Sequence, residues 1–218
     1  MRMRNLLSAM FSVHCRRLVA ASSFAAAATA AALGPPRASS AEPGAPRLTI
    51  VSMGGTIDKD YPRSIRGYAF EIDEPAAGRV LEALPTNIGM SYEIVSVCRK
   101  DSTEIDEQDR KALCEAVRAV PVGGRIVVTH GTDTMVESAQ CVAESGAAQG
   151  KAVCFTGAMR PEKFKDSDAA FNLGGAVAAA GLLPPGSVAI CMGGAVIESR
   201  FCQRDAQTHR FVDIRASQ

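Results

Sequence analysis

The two glycine-rich motifs that bind phosphate groups, Gly-x-x-x-x-Gly-Lys and Gly-x-Gly-x-x-Gly, are both missing from this chain of 218 residues. Their absence argues against a phosphate-binding loop and against a dinucleotide-binding turn. The sequence contains three histidines, and they stand too far apart to suggest a metal-binding set. No two cysteines have the close spacing that zinc sites use. We therefore expect neither a cofactor nor a bound metal.

Lysine and acidic residues are absent from residues 1–41, which contain five arginines. An alanine-rich apolar stretch of 16 residues occupies 18–33, and small residues follow at 38–41. Such a stretch is too short for a transmembrane helix, but a basic region, an apolar region and small residues together are typical of an export signal. We expect residues 1–41 to direct export to the periplasm. A mitochondrial or plastid transit peptide has a similar composition, so that alternative stays open, as does a flexible cytosolic extension.

The charge balance of the remaining residues, 42–218, is slightly acidic. Nineteen of the 24 basic residues remain against all 23 acidic ones, which gives a net charge of about −4. This balance provides no electrostatic footprint for nucleic acid, and no basic amphipathic helix suggests a membrane surface. A segment of this length can bury one hydrophobic core, so we predict a single domain over 42–218.

Apolar runs of strand length alternate with segments whose apolar residues recur at helical spacing. This alternation predicts a mostly parallel sheet covered by helices on both faces. The predicted fold class is a three-layer α/β/α domain with a flavodoxin-like or Rossmann-like sheet. Strands are predicted near 47–53, 91–97, 125–129, 152–156 and 188–192, and helices near 74–84, 105–119, 135–145 and 168–180.

Residues 58–72 do not fit this alternation, because the segment is polar and contains Pro62 and Gly67. It joins the first predicted strand to the first predicted helix. A loop of that length inside a compact domain is usually functional or mobile. We predict that it forms a lid.

Two short threonine motifs each follow a predicted strand. Gly-Gly-Thr-Ile occupies 54–57, and His-Gly-Thr-Asp-Thr occupies 130–134. In a parallel sheet, a chain that leaves the carboxyl end of a strand enters the crevice where ligands bind. Glycine there permits a sharp turn and leaves backbone amides uncovered. Thr56 and Thr132 are therefore expected at one rim of the sheet, where an activated threonine can act as a nucleophile.

Plainer interpretations of the same residues stay open when the residues are considered alone. Asp133 can cap the helix that follows it, or it can lie where the first amides of that helix hold an anion. The glycines before Thr56 can form a simple tight turn. His130 is expected to be structural, as a lone histidine usually is.

Five motifs in order give the chain its resemblance to a known family. They are Met-Gly-Gly-Thr-Ile at 53–57, Lys-Asp-Ser-Thr-Glu at 100–104, Thr-His-Gly-Thr-Asp-Thr-Met at 129–135, Thr-Gly-Ala-Met-Arg-Pro at 156–161 and Asp-Ser-Asp-Ala-Ala-Phe-Asn-Leu at 166–173. Together they resemble the N-terminal domain of the bacterial-type L-asparaginases, over roughly 47–211. The resemblance implies an amidohydrolase that converts L-asparagine to L-aspartate and ammonia by acyl transfer.

The resemblance also implies which residues perform the reaction. In the family the threonine of the first motif is the nucleophile, which gives this role to Thr56. A tyrosine assists it, and in compact members of the family that tyrosine lies five residues further along, where this chain has Tyr61. Tyr68 is the alternative, because longer members place the tyrosine further along the loop. Backbone amides near Gly55 and Thr132 would stabilise the oxyanion.

The substrate-binding residues follow from the same resemblance. Thr132 and Asp133 would polarise the attack and hold the α-amino group of the substrate. Ser102 would bind the α-carboxylate, with Thr103 beside it, and Gly55 would line the pocket.

Two features depart from the usual family pattern. The usual chain continues into a second domain that completes the site across a subunit interface, so this chain resembles a compact single-domain branch. The family also has a lysine that partners the second threonine and its aspartate, and alignment of 196–200 places Arg204 there. Arginine keeps the positive charge but cannot give up a proton.

The leading hypothesis from the sequence is therefore an asparaginase with a small-molecule substrate. A glutaminase or another small-amide hydrolase is the alternative within the same class. A non-catalytic module that binds an amino acid is the alternative outside it, because of Arg204 and the shorter length. Because members of the family form dimers and tetramers, we expect a homo-oligomer.

Overall fold

The structure, a computed structural model, describes residues 47–62, 70–84 and 91–217. The prediction for residues 1–41 and the alternative tyrosine, Tyr68, lie outside the described residues. No helix in the described ranges is long and apolar enough to cross a membrane.

The described part of the chain contains ten strands, four α-helices and four short 3-10 helices. The helices are α1 (Ala76–Glu82), α2 (Glu107–Ala119), α3 (Met135–Glu144) and α4 (Ala169–Leu182). The strands are β1 (Arg47–Gly54), β2 (Lys59–Asp60), β3 (Glu71–Ile72), β4 (Ser91–Lys100), β5 (Arg125–Thr129), β6 (Ala152–Thr156), β7 (Val188–Met192), β8 (Ala195–Glu198), β9 (Cys202–Arg204) and β10 (Phe211–Asp213).

The central sheet has six strands in the order β4-β1-β5-β6-β7-β8. Its pairings are parallel from β4 to β7, and β8 is antiparallel to β7. The predicted three-layer α/β class is confirmed. The sequence did not predict β8, which follows β7 after a turn at Gly193 and Gly194, both with positive φ. Two glycines of this kind are typical of a tight hairpin.

Alternate residues of each central strand serve two different cores, which explains the nearly continuous apolar runs. Val51 and Val128 belong to the larger core, which includes apolar side chains of α2 and α3. Ile50 and Val127 belong to the second core, which includes apolar side chains of α1 and α4. Helices therefore cover both faces of the sheet.

The helix beginnings differ slightly from the predictions, and side-chain caps explain one of the differences. The Asp106 carboxylate accepts hydrogen bonds from the amides of Gln108 and Asp109, at 2.8 and 3.0 Å. This capping box starts α2 at Glu107, two residues after the predicted start. α1 begins at Ala76 directly after Pro75 and is shorter than predicted.

The predicted lid segment is partly a hairpin. β2 pairs with β3 in antiparallel fashion, with Lys59 opposite Ile72 and Asp60 opposite Glu71. The base of the segment is therefore ordered by a short two-stranded ladder next to the Thr56 turn.

Candidate active site

The two threonine turns meet at a contact between glycines. A Cβ added to Gly55 would lie 2.3 Å from both the Cα and the N of Gly131. Gly55 also has a φ of +86°, a conformation that side chains rarely adopt. β1 and β5 are neighbours in the sheet, so their carboxyl ends bring the two turns to the same rim. This confirms that Thr56 and Thr132 belong to one rim.

A third motif joins this contact through Ser102. A Cβ added to Gly131 would lie 2.6 Å from the Cβ of Ser102 and 2.8 Å from its Oγ. Ser102 is buried and begins a short 3-10 helix just after β4, the strand on the other side of β1. The sheet order therefore places Ser102 beside the two threonine turns.

Backbone hydrogen bonds fix the Thr56 turn. The Gly55 amide donates to the Lys100 carbonyl at 3.0 Å, and the Asp58 amide donates to the Gly55 carbonyl at 3.1 Å. The Gly55 amide is thus already engaged with Lys100. Within the described part of the chain, the amides of Thr56 and Thr132 donate to no other residue.

Asp133 faces Ser102 and does not cap α3. The N-cap residue of that helix is Thr134, so the capping interpretation of Asp133 is wrong. The Ser102 hydroxyl donates to Oδ2 of Asp133 at 3.2 Å, and the Asp133 amide donates to the Ser102 Oγ at 3.3 Å. The Thr134 hydroxyl donates to the Ser102 carbonyl at 2.7 Å. Thr132 itself is 7% exposed.

Arg204 reaches the same aspartate from β9. Its Nη2 lies 3.2 Å from Oδ1 of Asp133, and the two side chains are 19% and 48% exposed. A forked clamp with two hydrogen bonds is one geometry that a guanidinium permits. The structure shows a single contact, to Oδ1 of Asp133, while Oδ2 accepts from Ser102. The Nε of Arg204 is buried and finds no partner among the described residues.

Tyr61 lies outside this cluster. Its ring is 5.4 Å from the ring of Phe70 and 6.4 Å from that of Phe164, measured between centroids. The residue is 65% exposed, and within the described ranges it forms no hydrogen bond with Thr56 or Thr132. Thr103 is also exposed, and its hydroxyl donates to Asp101 at 3.4 Å. The structure therefore does not bring the side chains of Tyr61 and Thr103 into the cluster formed by the two threonine turns and Ser102.

Sequence reasoning assigned no role to Asp58 and Lys59, although both lie directly after the first threonine motif. Nζ of Lys59 forms an ion pair with Oδ2 of Asp101 at 2.7 Å, which ties the hairpin to the segment carrying Ser102. The Asp58 carboxyl is buried and accepts hydrogen bonds from the Ser52 hydroxyl and the Ala76 amide. Burial raises the pKa of Asp58 to about 7. The sequence signal that could have indicated a role for Asp58 and Lys59 was their position directly after Thr56 and Ile57.

His130 is a core residue at this rim. It is fully buried, and burial lowers its pKa to about 4, so the ring is neutral at ordinary pH. The Nδ1 of the ring donates to the Gly131 carbonyl at 2.8 Å. This supports the structural role predicted for His130.

The last two motifs of the resemblance, at 156–161 and 166–173, bind each other next to the carboxyl end of β6. The Asp168 carboxylate accepts from the amides of Met159 and Arg160, at 3.0 and 3.1 Å. Asn172 donates to Asp168 at 2.8 Å and to the Gly157 carbonyl at 3.0 Å. No group of three or more histidine, cysteine, aspartate or glutamate side chains in the described ranges could hold a metal ion.

The fold and the site together define a mostly parallel α/β domain with buried hydroxyl groups beside a carboxylate at the carboxyl rim of its sheet. The family model described as "Asparaginase, N-terminal" matches residues 47–212, and the chain belongs to this family.

Several relatives match part of the chain. A probable periplasmic L-asparaginase of Haemophilus influenzae is 30% identical over 138 residues, which are 62% of this chain and 39% of that protein. One component of the glutamyl-tRNA(Gln) amidotransferase of Pyrococcus abyssi is 33% identical, over 61% of this chain and 30% of that protein. The chain thus spans about two-fifths or less of the length of these relatives.

Solved structures of L-asparaginases share the fold. The thermostable enzyme from Thermococcus kodakarensis matches with a TM-score of 0.62 and 22% identity, over 77% of this chain and 51% of that chain. L-asparaginase I from Vibrio cholerae matches with a TM-score of 0.61 and 19% identity, over 78% of this chain and 51% of that chain.

Proposed function

We propose that this protein hydrolyses the side-chain amide of L-asparagine to L-aspartate and ammonia, with Thr56 as the nucleophile. The observation that carries the proposal is the contact between Gly55 and Gly131, because it brings the Thr56 turn against the turn that carries Thr132 and Asp133. Family membership and the names of the relatives support the same reaction.

The reaction would proceed in two acyl-transfer steps. The Thr56 hydroxyl attacks the amide carbon, the C–N bond breaks, and ammonia leaves with the proton that the hydroxyl gave up. Water then hydrolyses the resulting ester and releases aspartate. The unoccupied amides of Thr56 and Thr132 are the donors we assign to the developing oxyanion, a contribution that is typically large in acyl transfer.

The Asp133 carboxylate and the Ser102 hydroxyl suit the two charged ends of an amino acid, its α-amino and α-carboxylate groups. Asp133 would bind the α-amino group, and Ser102 would donate to the α-carboxylate. Both side chains now bind each other, so substrate would exchange their mutual contact for contacts with itself. Tyr61 would assist Thr56 after its ring leaves Phe70 and Phe164.

Ammonia release by the purified protein tests the proposal. We expect release from asparagine, and we expect Thr56→Ala to abolish it. Thr208→Ala is the matched control, because Thr208 is an exposed threonine in the turn between β9 and β10. Equal activity in wild type and Thr56→Ala would contradict the nucleophile assignment.

Hydrolysis of glutamine or another small amide is the second candidate. It is motivated by the match to the amidotransferase component at an identity similar to that of the asparaginase. Comparison of kcat/KM for asparagine and glutamine separates the two. Binding of asparagine without ammonia release from any amide would instead indicate a non-catalytic binding module.

We also assign residues 1–41 to an export signal and residues 42–218 to the domain that carries the activity, and we expect this domain to form a homo-oligomer in the periplasm. The name of the Haemophilus influenzae relative is consistent with export. The mass of the mature protein tests the boundary, since export with cleavage predicts a chain that begins near residue 42. Sedimentation of the same sample measures the assembly.

A further inference from the structure

We propose that Asp58 is a positioning residue for Thr56, because its carboxyl fastens the nucleophile turn to both β1 and the first turn of α1. The inference rests on the proposed function, since that is where Thr56 is assigned as the nucleophile. Asp58 acts through the backbone of the turn and does not touch the reacting atoms.

Three hydrogen bonds make Asp58 the junction of these elements. Oδ2 accepts from the Ser52 hydroxyl on β1 at 3.0 Å, and Oδ1 accepts from the Ala76 amide at 2.7 Å. The Asp58 carbonyl accepts from the Asp73 amide at 2.9 Å. Thr56 is two residues away in the same 3-10 turn, so a shift of Asp58 should also move the backbone of Thr56.

The carboxyl lies in an apolar environment and has no direct contact with a cation among the described residues. Asp58 is 1% exposed, and its neighbours Ile57 and Ala76 are fully buried. The charged groups that act on it are Arg79 on α1 and Arg99 on β4. Each of these already forms an ion pair at 2.8 Å, Arg79 with Glu162 and Arg99 with Glu74.

Ionisation of Asp58 should therefore affect activity and stability in opposite directions. The ionised carboxylate accepts charge-assisted hydrogen bonds from Ser52 and Ala76, which hold the turn more firmly, so kcat should rise as the pH increases through about 7. The folded pKa of Asp58 is raised from 3.8 to about 7. Protonation of Asp58 therefore favours the folded state. Its contribution to the free energy of unfolding is fully present below pH 3.8 and is lost as the pH rises through about 7.

Asp58→Asn is the main test, because asparagine keeps the size of the side chain but removes its charge at every pH. We expect kcat to fall roughly 10- to 100-fold with little change in KM, as expected for a misplaced nucleophile, and the inflection near pH 7 to disappear. Ser52→Ala, which leaves the carboxyl in place, should cause a smaller loss. Glu71→Gln changes an exposed carboxylate of the same hairpin and should leave kcat and the pH profile unchanged.

The NMR signal of the Thr56 amide reports on the turn without depending on turnover. In wild type, this signal should titrate with a midpoint near 7, and in Asp58→Asn it should not. A wild-type protein that releases no ammonia but shows this titration would overturn the proposed function and leave the link between Asp58 and the Thr56 turn standing. An active wild type whose Thr56 signal does not titrate, or an Asp58→Asn protein with unchanged kcat and pH profile, would overturn the positioning role. Far-UV circular dichroism checks that each variant is folded.

Discussion

The inner and outer parts of the candidate site are held in place by different kinds of contact. The inner part comprises the turns at Gly55, Ser102 and Gly131, and it is fixed by backbone packing that leaves no space for a Cβ. The outer part comprises Tyr61 and Thr103, which are exposed and bind neighbours away from the threonines. The sheet itself therefore fixes the groups assigned to attack and charge stabilisation.

This difference indicates how variants should behave in each part. A side chain added at the packed glycines of the inner turns, Gly55 or Gly131, strains the backbone there, so it should lower both stability and activity. A change in the outer part touches solvent and aromatic contacts, so it should alter activity with little effect on stability.

Thr56→Ala should give the largest loss of activity. Removal of a nucleophile eliminates the covalent route, and the expected decrease in kcat is about three orders of magnitude or more. Thr56 is half-buried and its side chain forms no hydrogen bond with another described residue, so the melting temperature should change little. Ammonia release and thermal unfolding on the same samples measure both quantities. Thr132→Ala should behave similarly toward substrate, and a Thr56→Ala protein with near-normal turnover would remove the basis of the mechanism.

Gly55→Ala tests whether the inner turns pack as tightly in solution as they do in the structure. The new Cβ would meet the backbone of Gly131 at 2.3 Å, and the φ of +86° adds strain. We expect a loss of about 2 kcal/mol or more in stability, as for overpacking combined with a strained backbone, and an activity loss of ~10²-fold from misplacement.

Gly123→Ala is the control that separates these two causes. Gly123 has a similar φ of +82°, but nothing lies within 4 Å of an added Cβ. The difference between the two variants in denaturant unfolding therefore isolates the contact with Gly131. Equal destabilisation of both would show that the two turns are not in contact in solution.

Tyr61→Phe tests the outer part. Loss of the hydroxyl should slow turnover by ~10²-fold, as expected for lost help with proton transfer. The ring contacts with Phe70 and Phe164 are kept, so stability should not change. If Tyr68→Phe is the damaging change and Tyr61→Phe is harmless, the assignment belongs to Tyr68 instead.

The sequence predicted the central strands better than the parts around them. The bounds of β5, β6 and β7 agree with the prediction, because strands covered on both faces have nearly continuous apolar runs. β8 and the pair β9–β10 were not predicted. They are short and partly exposed, so they lack an apolar pattern that distinguishes them from loops.

In the candidate site, too, some features could be predicted from the sequence and others could not. The placement of Thr56 and Thr132 after neighbouring strands was sufficient to predict that they share a rim. The burial of Asp58 was not predictable in this way, since an aspartate in a polar segment is ordinarily exposed. In its buried position it accepts a hydrogen bond from the Ala76 amide, which is 18 residues further along the chain. Local patterns do not report such a partner.

Arg204→Lys should give the smallest change, an increase in activity of a few-fold. Arg204 contacts Asp133 through one nitrogen at 3.2 Å, so its present role is to supply positive charge next to the carboxylate. A guanidinium does not lose its proton in proteins, whereas a lysine shifts its pKa readily when it is partly buried and can exchange a proton. We therefore expect the wild type to have measurable but low activity, and the lysine variant to gain in kcat more than in KM. Arg204→Gln removes the charge and should lower activity instead. If neither wild type nor Arg204→Lys releases ammonia while asparagine or aspartate still binds by calorimetry, the inner site binds an amino acid without turning it over.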